Sequence, residues 1–205
     1  MVAKKENSRV IKAAETKKRI YESALELFKR DGFGTSVDSI VEMAGVSKGA
    51  FYVHYESKHS LIIDYINTID LGYEDYFSSL PSDTKPSVML ILVTEKITDV
   101  IINNIGFDLI KLIYEALITK TINTDTQLSY DRKVYQIYNQ IIKLGVQQGE
   151  FKATLNIDSV SKHCIMSIRG MTYEWCIRFP DFDLKNEIIR HFDLLLSGIK
   201  NNDGL

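Results

Sequence analysis

The chain has 205 residues, is 45% apolar, holds three prolines and carries a net charge of −2, a balance that suits a folded protein with a sizeable core and excludes a low-complexity polypeptide. The charge is unevenly placed: residues 1–60 hold 11 Lys/Arg against 8 Asp/Glu, net +3, and the remainder holds 14 against 19, net −5, so only the N-terminal part suits a polyanion. No apolar run reaches spanning length, the densest (Val88 to Val93) giving way to Thr94-Glu95-Lys96, and residues 1–16 carry no signal-peptide core, so a cytoplasmic protein without membrane contact is expected.

Lys4, Lys5, Arg9, Lys12, Lys17, Lys18 and Arg19 form a basic arm ahead of the first apolar stripe. On charge alone, a solvated tail and a polyanion-binding arm fit it equally. Ile20, Ala24, Leu27 and Phe28 then recur at helical spacing, predicting a helix over 17–31 with Thr16 as N-cap and Gly32 as stop. Thr35-Ser36-Val37-Asp38 is a capping signature for a second, very short helix whose stripe is Val37, Ile40, Val41 and Ala44, ended by Gly45. Ser47 caps a third, isolated turn and a half over 47–54, and Ser57 launches a longer segment.

Helical periodicity continues over 58–77, 87–104, 107–120, 126–148, 158–179 and 183–200, punctuated by Gly106, Thr121 to Asp125, Gly149 and Pro180-Asp181. The expected fold is all-α, with about nine helices in two domains, 1–60 and 61–205. Cys164 and Cys176 lack paired ligand spacing and read as reduced structural thiols, and no metal or cofactor is expected.

Two short helices joined through a glycine turn have the spacing of a helix-turn-helix. The second helix would present its N-terminal end to a major groove, where small residues such as Gly49 and Ala50 allow close approach. Phe51 and Tyr55, four residues apart, share one face and read as packing, whereas Tyr52 and His54 point elsewhere. Lys58, a cation in the first turn of a helix, favours an anion partner.

The run GVSKGAFYVHYESKHSL at 45–61 resembles the N-terminal domain of TetR-family transcriptional repressors, strongly over residues 17–61 and more weakly beyond, in Gly149-Glu150-Phe151 and Ile168-Arg169-Gly170. The resemblance implies a DNA-binding domain with its basic arm at 1–60 and a helical effector-binding and dimerisation domain at 61–205. It implies phosphate contacts from Thr35, Ser36, Ser47, Tyr52, His54 and Lys58, and base-edge contacts from Lys48, Gly49, Ala50 and Tyr52. His59 departs from the pattern, in which the residue after the lysine is commonly acidic.

One reading helix per chain makes too few contacts for tight binding, so a homodimer on a palindromic operator is expected, joined through the last two helices. Apolar residues of 184–199 cover more than one face, leaving a surplus for that interface. Among the apolar middle helices, Glu95, Asn104, Tyr114, Glu115, Tyr138, His163, Arg169, Tyr173 and Trp175 are candidates to orient a small hydrophobic ligand. The implied function is that of a repressor released by such an effector. Enzymatic activity is not expected: Gly32-Phe33-Gly34 lacks the third glycine of a dinucleotide fingerprint, and no triad spacing appears. A helical interaction module is the competing class, separable by the salt dependence of duplex binding.

Overall fold

The computed structural model describes residues 2–32, 34–120 and 129–201; among them all regular structure is helical, apart from one antiparallel bridge between Phe151 and Lys200. The helices are α1 (Val2–Asp31), α2 (Val37–Ala44), α3 (Lys48–His54), α4 (Lys58–Ser78), α5 (Pro86–Asp99), α6 (Phe107–Thr119), α7 (Lys133–Gln147), α8 (Ile157–Arg178) and α9 (Leu184–Ile199), with a π-helical segment over Val100–Ile105. None is long and apolar enough to cross a membrane. The chain divides into two compact units, Met1–Tyr65 with Glu115–Ile122, and Ile66–Tyr114 with Asn123–Leu205.

In the first unit, Ile20, Ala24, Leu27 and Phe28 of α1 meet Ile40, Val41 and Ala44 of α2, Phe51 of α3, Tyr55 and Leu61 in one buried core, edged by Tyr21, Leu25, Val37 and Val46. The stripe predicted for α1 is therefore the one that packs. Its start is a correction: the helix begins at Val2, not after Thr16, and the Thr16 hydroxyl donates to the Lys12 carbonyl (2.8 Å) from within the helix. The Lys/Glu/Ala-rich stretch ahead of Thr16 favours helix and contains no breaker, so propensity carries the helix on. Gly32, at φ +71°, ends it as expected, its amide bonded to the Phe28 carbonyl (3.1 Å).

The second unit is built on α5, α7, α8 and α9, which pack on one another. Leu90, Val93 and Ile97 of α5, Tyr138, Ile141 and Ile142 of α7, Cys164 and Ile165 of α8, and Ile188 and Phe192 of α9 are buried. Tyr138 stacks on Phe192 at 6.0 Å, and its hydroxyl shares a hydrogen bond with Thr94 Oγ1 (2.9 Å). The predicted helix 87–104 is α5 continued by the π segment, where the Gly106 amide reaches back five residues to the Ile101 carbonyl (3.0 Å). The predicted helix 126–148 is corrected to begin at Lys133: Ser129 Oγ accepts from the Asp131 amide (2.9 Å) and donates to its carboxylate (2.8 Å), folding this stretch as a turn. Residues 126–128 of that expectation, and the Thr121 to Asp125 punctuation, lie outside the described residues.

The Gly149-Glu150-Phe151 stretch has three separate jobs. Gly149 takes a left-handed conformation at φ +73°. Glu150 accepts the Ser87 amide (3.2 Å) and the Ser87 hydroxyl, supplying the side-chain cap that Lys85 at the start of α5 lacks. Phe151, 1% exposed, folds its ring against Gly145 of α7.

Candidate nucleic-acid interface

Capping and one left-handed glycine shape the turn between α2 and α3. Ser36 Oγ accepts the Ser39 amide (3.0 Å) to start α2. Gly45, at φ +62° and ψ +41°, ends it, with its own amide on the Glu42 carbonyl and that of Val46 on the Val41 carbonyl. Ser47 Oγ then accepts the Ala50 amide (3.1 Å), so only three residues separate α2 from α3.

Phe51 is fully buried and Tyr55 is 4% exposed, their rings 5.8 Å apart, which matches the packing role read from their spacing. The Tyr55 hydroxyl donates to Asp64 Oδ2 (3.1 Å), which also receives Lys17 Nζ at 2.7 Å. Burial, with the Asp64 carboxylate beside it, raises the Tyr55 phenol well above its ordinary pKa, so it acts as a donor throughout the physiological range.

Ser47, Lys48, Gly49 and Tyr52 face solvent, with Ala50 and His54 half-buried. Val53 is 80% exposed, a residue that sequence reasoning missed. Its signal was available: two residues from the buried Phe51, it sits about 200° around the helix from the core. Asp38 holds Lys48 Nζ at 2.8 Å, and Lys58 Nζ donates to the Thr35 carbonyl (3.2 Å), tying the start of α4 to the turn ahead of α2. Thr35 itself is buried and its hydroxyl donates to the Gly32 carbonyl (3.1 Å), so it closes the loop; Ser36 alone is the cap. Burial and the neighbouring Lys58 ammonium lower the His59 pKa, which keeps the imidazole neutral near pH 7.

In the second unit, the structure brings Tyr114, Arg169 and Tyr173 together, the Tyr114 and Tyr173 rings 6.0 Å apart, and places the other ligand candidates elsewhere. Tyr138 and Trp175 are buried in packing, Trp175 against Phe107 and Phe179. The Tyr114 hydroxyl donates to the Arg169 carbonyl (2.7 Å), and burial raises its pKa. Glu95 and Arg169 are half-buried, while Asn104, His163 and Tyr173 face solvent. Glu115 is exposed and falls in the first unit. A cavity of about 580 Å³ opens among Asn67, Asp70, Leu71, Ser129, Asp131, Arg132 and Lys133. At its wall the Arg132 guanidinium grips the nearly buried Asp70 carboxylate with two bonds, of 2.8 and 2.6 Å. Nothing in the local sequence signals a pair 62 residues apart. Among the described residues no group of three His, Cys, Asp or Glu could hold a metal ion.

Residues 20–65 match the family profile described as bacterial regulatory proteins, tetR family. Over 196 residues the chain is 25% identical to the HTH-type transcriptional regulator AcrR of Shigella flexneri, covering 90% of this chain and 89% of that protein. The fold is shared with Thermus thermophilus FadR, a TetR-family transcriptional repressor solved in complex with lauroyl-CoA: TM-score 0.75, 20% identity, 92% of this chain and 97% of that one. It is shared also with a gamma-butyrolactone receptor described as ArpA-like, at TM-score 0.57 and 20% identity over 94% and 92% of the two chains.

Proposed function

We propose, on the premise that residues 20–65 place the chain among the TetR-family transcriptional regulators, that it represses transcription from a palindromic operator and is released by a small hydrophobic effector. The observation that carries this reading is α3 itself. It is a seven-residue helix capped by Ser47, anchored underneath by Phe51 and Tyr55, and bare on its outer side at Gly49, Tyr52 and Val53. So small a helix contributes one large side chain to its own core, and its exposed surface has the size and shape a major groove accepts.

In this reading the amides and hydroxyls around Ser36 and Ser47, with Tyr52, His54 and Lys58, hold phosphates. Gly49 and Ala50 let the helix tip approach base edges, Lys48 exchanges Asp38 for a base or phosphate acceptor, and Tyr52 and Val53 read the groove, the valine methyls suiting a thymine methyl. Thr35 contributes through its backbone only, since its hydroxyl is engaged.

Two chains pair through α8 and α9, whose outward faces carry Met166, Tyr173, Ile177 and Leu194 exposed. The lauroyl-CoA complex of FadR and the gamma-butyrolactone receptor support an effector with an apolar body. It acts by binding one state of the second unit better than another and biasing α4, which has residues in both units. The protein works in the cytoplasm, where its operator is.

The test is fluorescence anisotropy with a random-sequence 30-base-pair duplex over a salt series. The wild type should lose affinity steeply as salt rises, and Lys48→Gln should reduce the slope of log affinity against log salt by about 0.9 per phosphate contact removed. No duplex binding at low salt would end the proposal and favour the interaction module.

A further inference from the structure

We infer that the N-terminal half of α1 is a second nucleic-acid contact, a cationic rail that lies along the phosphate backbone beside the base-reading helix. The inference rests on the DNA-binding reading and extends it to a surface outside the helix-turn-helix.

From Arg9 onward the first buried residue of α1 is Ile20; residues 9–15 and 17–19 are exposed and Thr16 is half-buried. From Arg9 to Arg19 the helix therefore runs about 15 Å clear of its own core. Propensity keeps this stretch helical, but a free helix of this length is marginal in water and the packing of its own unit adds little over these residues.

Its charges are arranged. At 100° per residue, Arg9, Lys12 and Arg19 fall within about 80° of one another around the axis. All three are exposed and, among the described residues, none forms an ion pair, although Glu15 is within one turn of both Lys12 and Arg19. Other cations of the unit are engaged: Lys17 with Asp64, Lys18 with Glu22, Arg30 with Asp31, Lys48 with Asp38.

The rail is also continuous with the reading helix. Arg19 Nη1 lies 3.9 Å from where a β-carbon on Gly45 would sit, and Gly45 is the turn residue directly ahead of Ser47 and α3. Three cations that begin at that turn and run about 15 Å from Arg19 to Arg9 form a line of positive charge suited to the phosphate backbone of one strand. Val10 and Ile11, exposed on other sides of the helix, do not share this face.

The experiment compares full-length wild type, Arg9→Gln/Lys12→Gln and Val10→Ser/Ile11→Ser on a duplex recovered by in vitro selection from a random 30-base-pair library. Anisotropy over a salt series is combined with hydroxyl-radical footprinting. Gln keeps helix propensity, so helicity is preserved. The Arg9/Lys12 variant should show a salt slope lower by about two for each chain bound and lose a block of protected backbone outside the groove occupied by α3, with its base preference unchanged. The Val10/Ile11 variant should match wild type in both readouts. An unchanged slope and footprint in the Arg9/Lys12 variant overturns the rail while leaving the regulator reading intact. An equal loss in both variants also overturns it, in favour of an apolar partner for this helix. Failure of the wild type to select any duplex overturns the DNA-binding reading and the rail with it.

Discussion

Substituting Gly145 by Ala should destabilise the second unit although it replaces a poor helix former in the middle of α7 with the best one. Propensity alone favours Ala by about 1 kcal/mol. Geometry opposes it: a β-carbon on Gly145 would lie 2.1 Å from Cδ2, 2.3 Å from Cε2 and 2.8 Å from Cγ of Phe151. Carbon atoms rest near 3.5–4.0 Å apart, so the ring must retreat by about 1.5 Å. It has nowhere to go. Phe151 is buried, its amide is bonded to the Gly145 carbonyl (3.0 Å), and its neighbours are pinned by bonds from Lys152 to Ile199 (3.0 Å) and from Asn201 to Glu150 (2.9 Å). Overpacking of this kind costs about 1–3 kcal/mol, and a clash with a ring that cannot retreat lies at the upper end of that range. Net of the propensity gain, a loss of about 2 kcal/mol follows. Urea unfolding followed by the fluorescence of Trp175, the chain's one tryptophan and a buried residue of this unit, reads the change as a lower midpoint at unchanged slope. Phe151→Leu in the same chain should restore at least 1 kcal/mol by making room. A Gly145→Ala protein as stable as its parent would refute the assigned contact.

Three further outcomes follow from the same geometry. Ser47→Ala removes the acceptor of the Ala50 amide and should cost about 1 kcal/mol in thermal unfolding of the first unit, whereas Ser47→Asp should keep that stability yet weaken duplex binding, because a carboxylate caps a helix but repels a phosphate. His59 has a folded pKa below its ordinary 6.5, so its stability contribution is present above that value and is lost as pH falls through it, when the unfolded chain takes up the proton first; His59→Gln should flatten that part of a melting-temperature profile between pH 7.5 and 5. Burial pushes the Cys164 thiol up to about 12 and raises that of the half-buried Cys176, so iodoacetamide at pH 8 should label Cys176 slowly and Cys164 only after unfolding, as mass spectrometry of the peptides would show.

The helix-turn-helix was legible in the sequence because its signals are local. Gly45 requires a left-handed turn, Ser36 and Ser47 lie directly before helices, and Phe51 and Tyr55 repeat at four residues; each of these operates within one turn of chain. The start of α1 was not legible, since a threonine that could cap a helix can equally back-bond inside one, as Thr16 does to Lys12. The start of α7 depended on how Ser129 folds over Asp131, a local contact that competes with an otherwise helical pattern. The cavity of the second unit escaped for a different reason. Its walls come from α4 and from the turn before α7, and the Asp70–Arg132 pair joins two charged residues whose neighbours in sequence look like ordinary solvated helix. Tyr138 and Trp175, aromatic residues on apolar helices, pack against Phe192 and Phe107, partners that lie on other helices and leave no local signal.

The central claim is that the outer face of α3 reads base sequence. The measurement that tests it most directly is the ratio of affinities for the selected duplex and for a scrambled duplex of equal length, taken at one salt concentration for wild type and for Tyr52→Ala/Val53→Ala. Both side chains are exposed, so the variant should fold as its parent does. The account predicts a ratio of 10³ or more for wild type, falling at least tenfold in the variant, while affinity for the scrambled duplex falls by less, through the Tyr52 phosphate contact alone. A ratio that is the same in both proteins would contradict it.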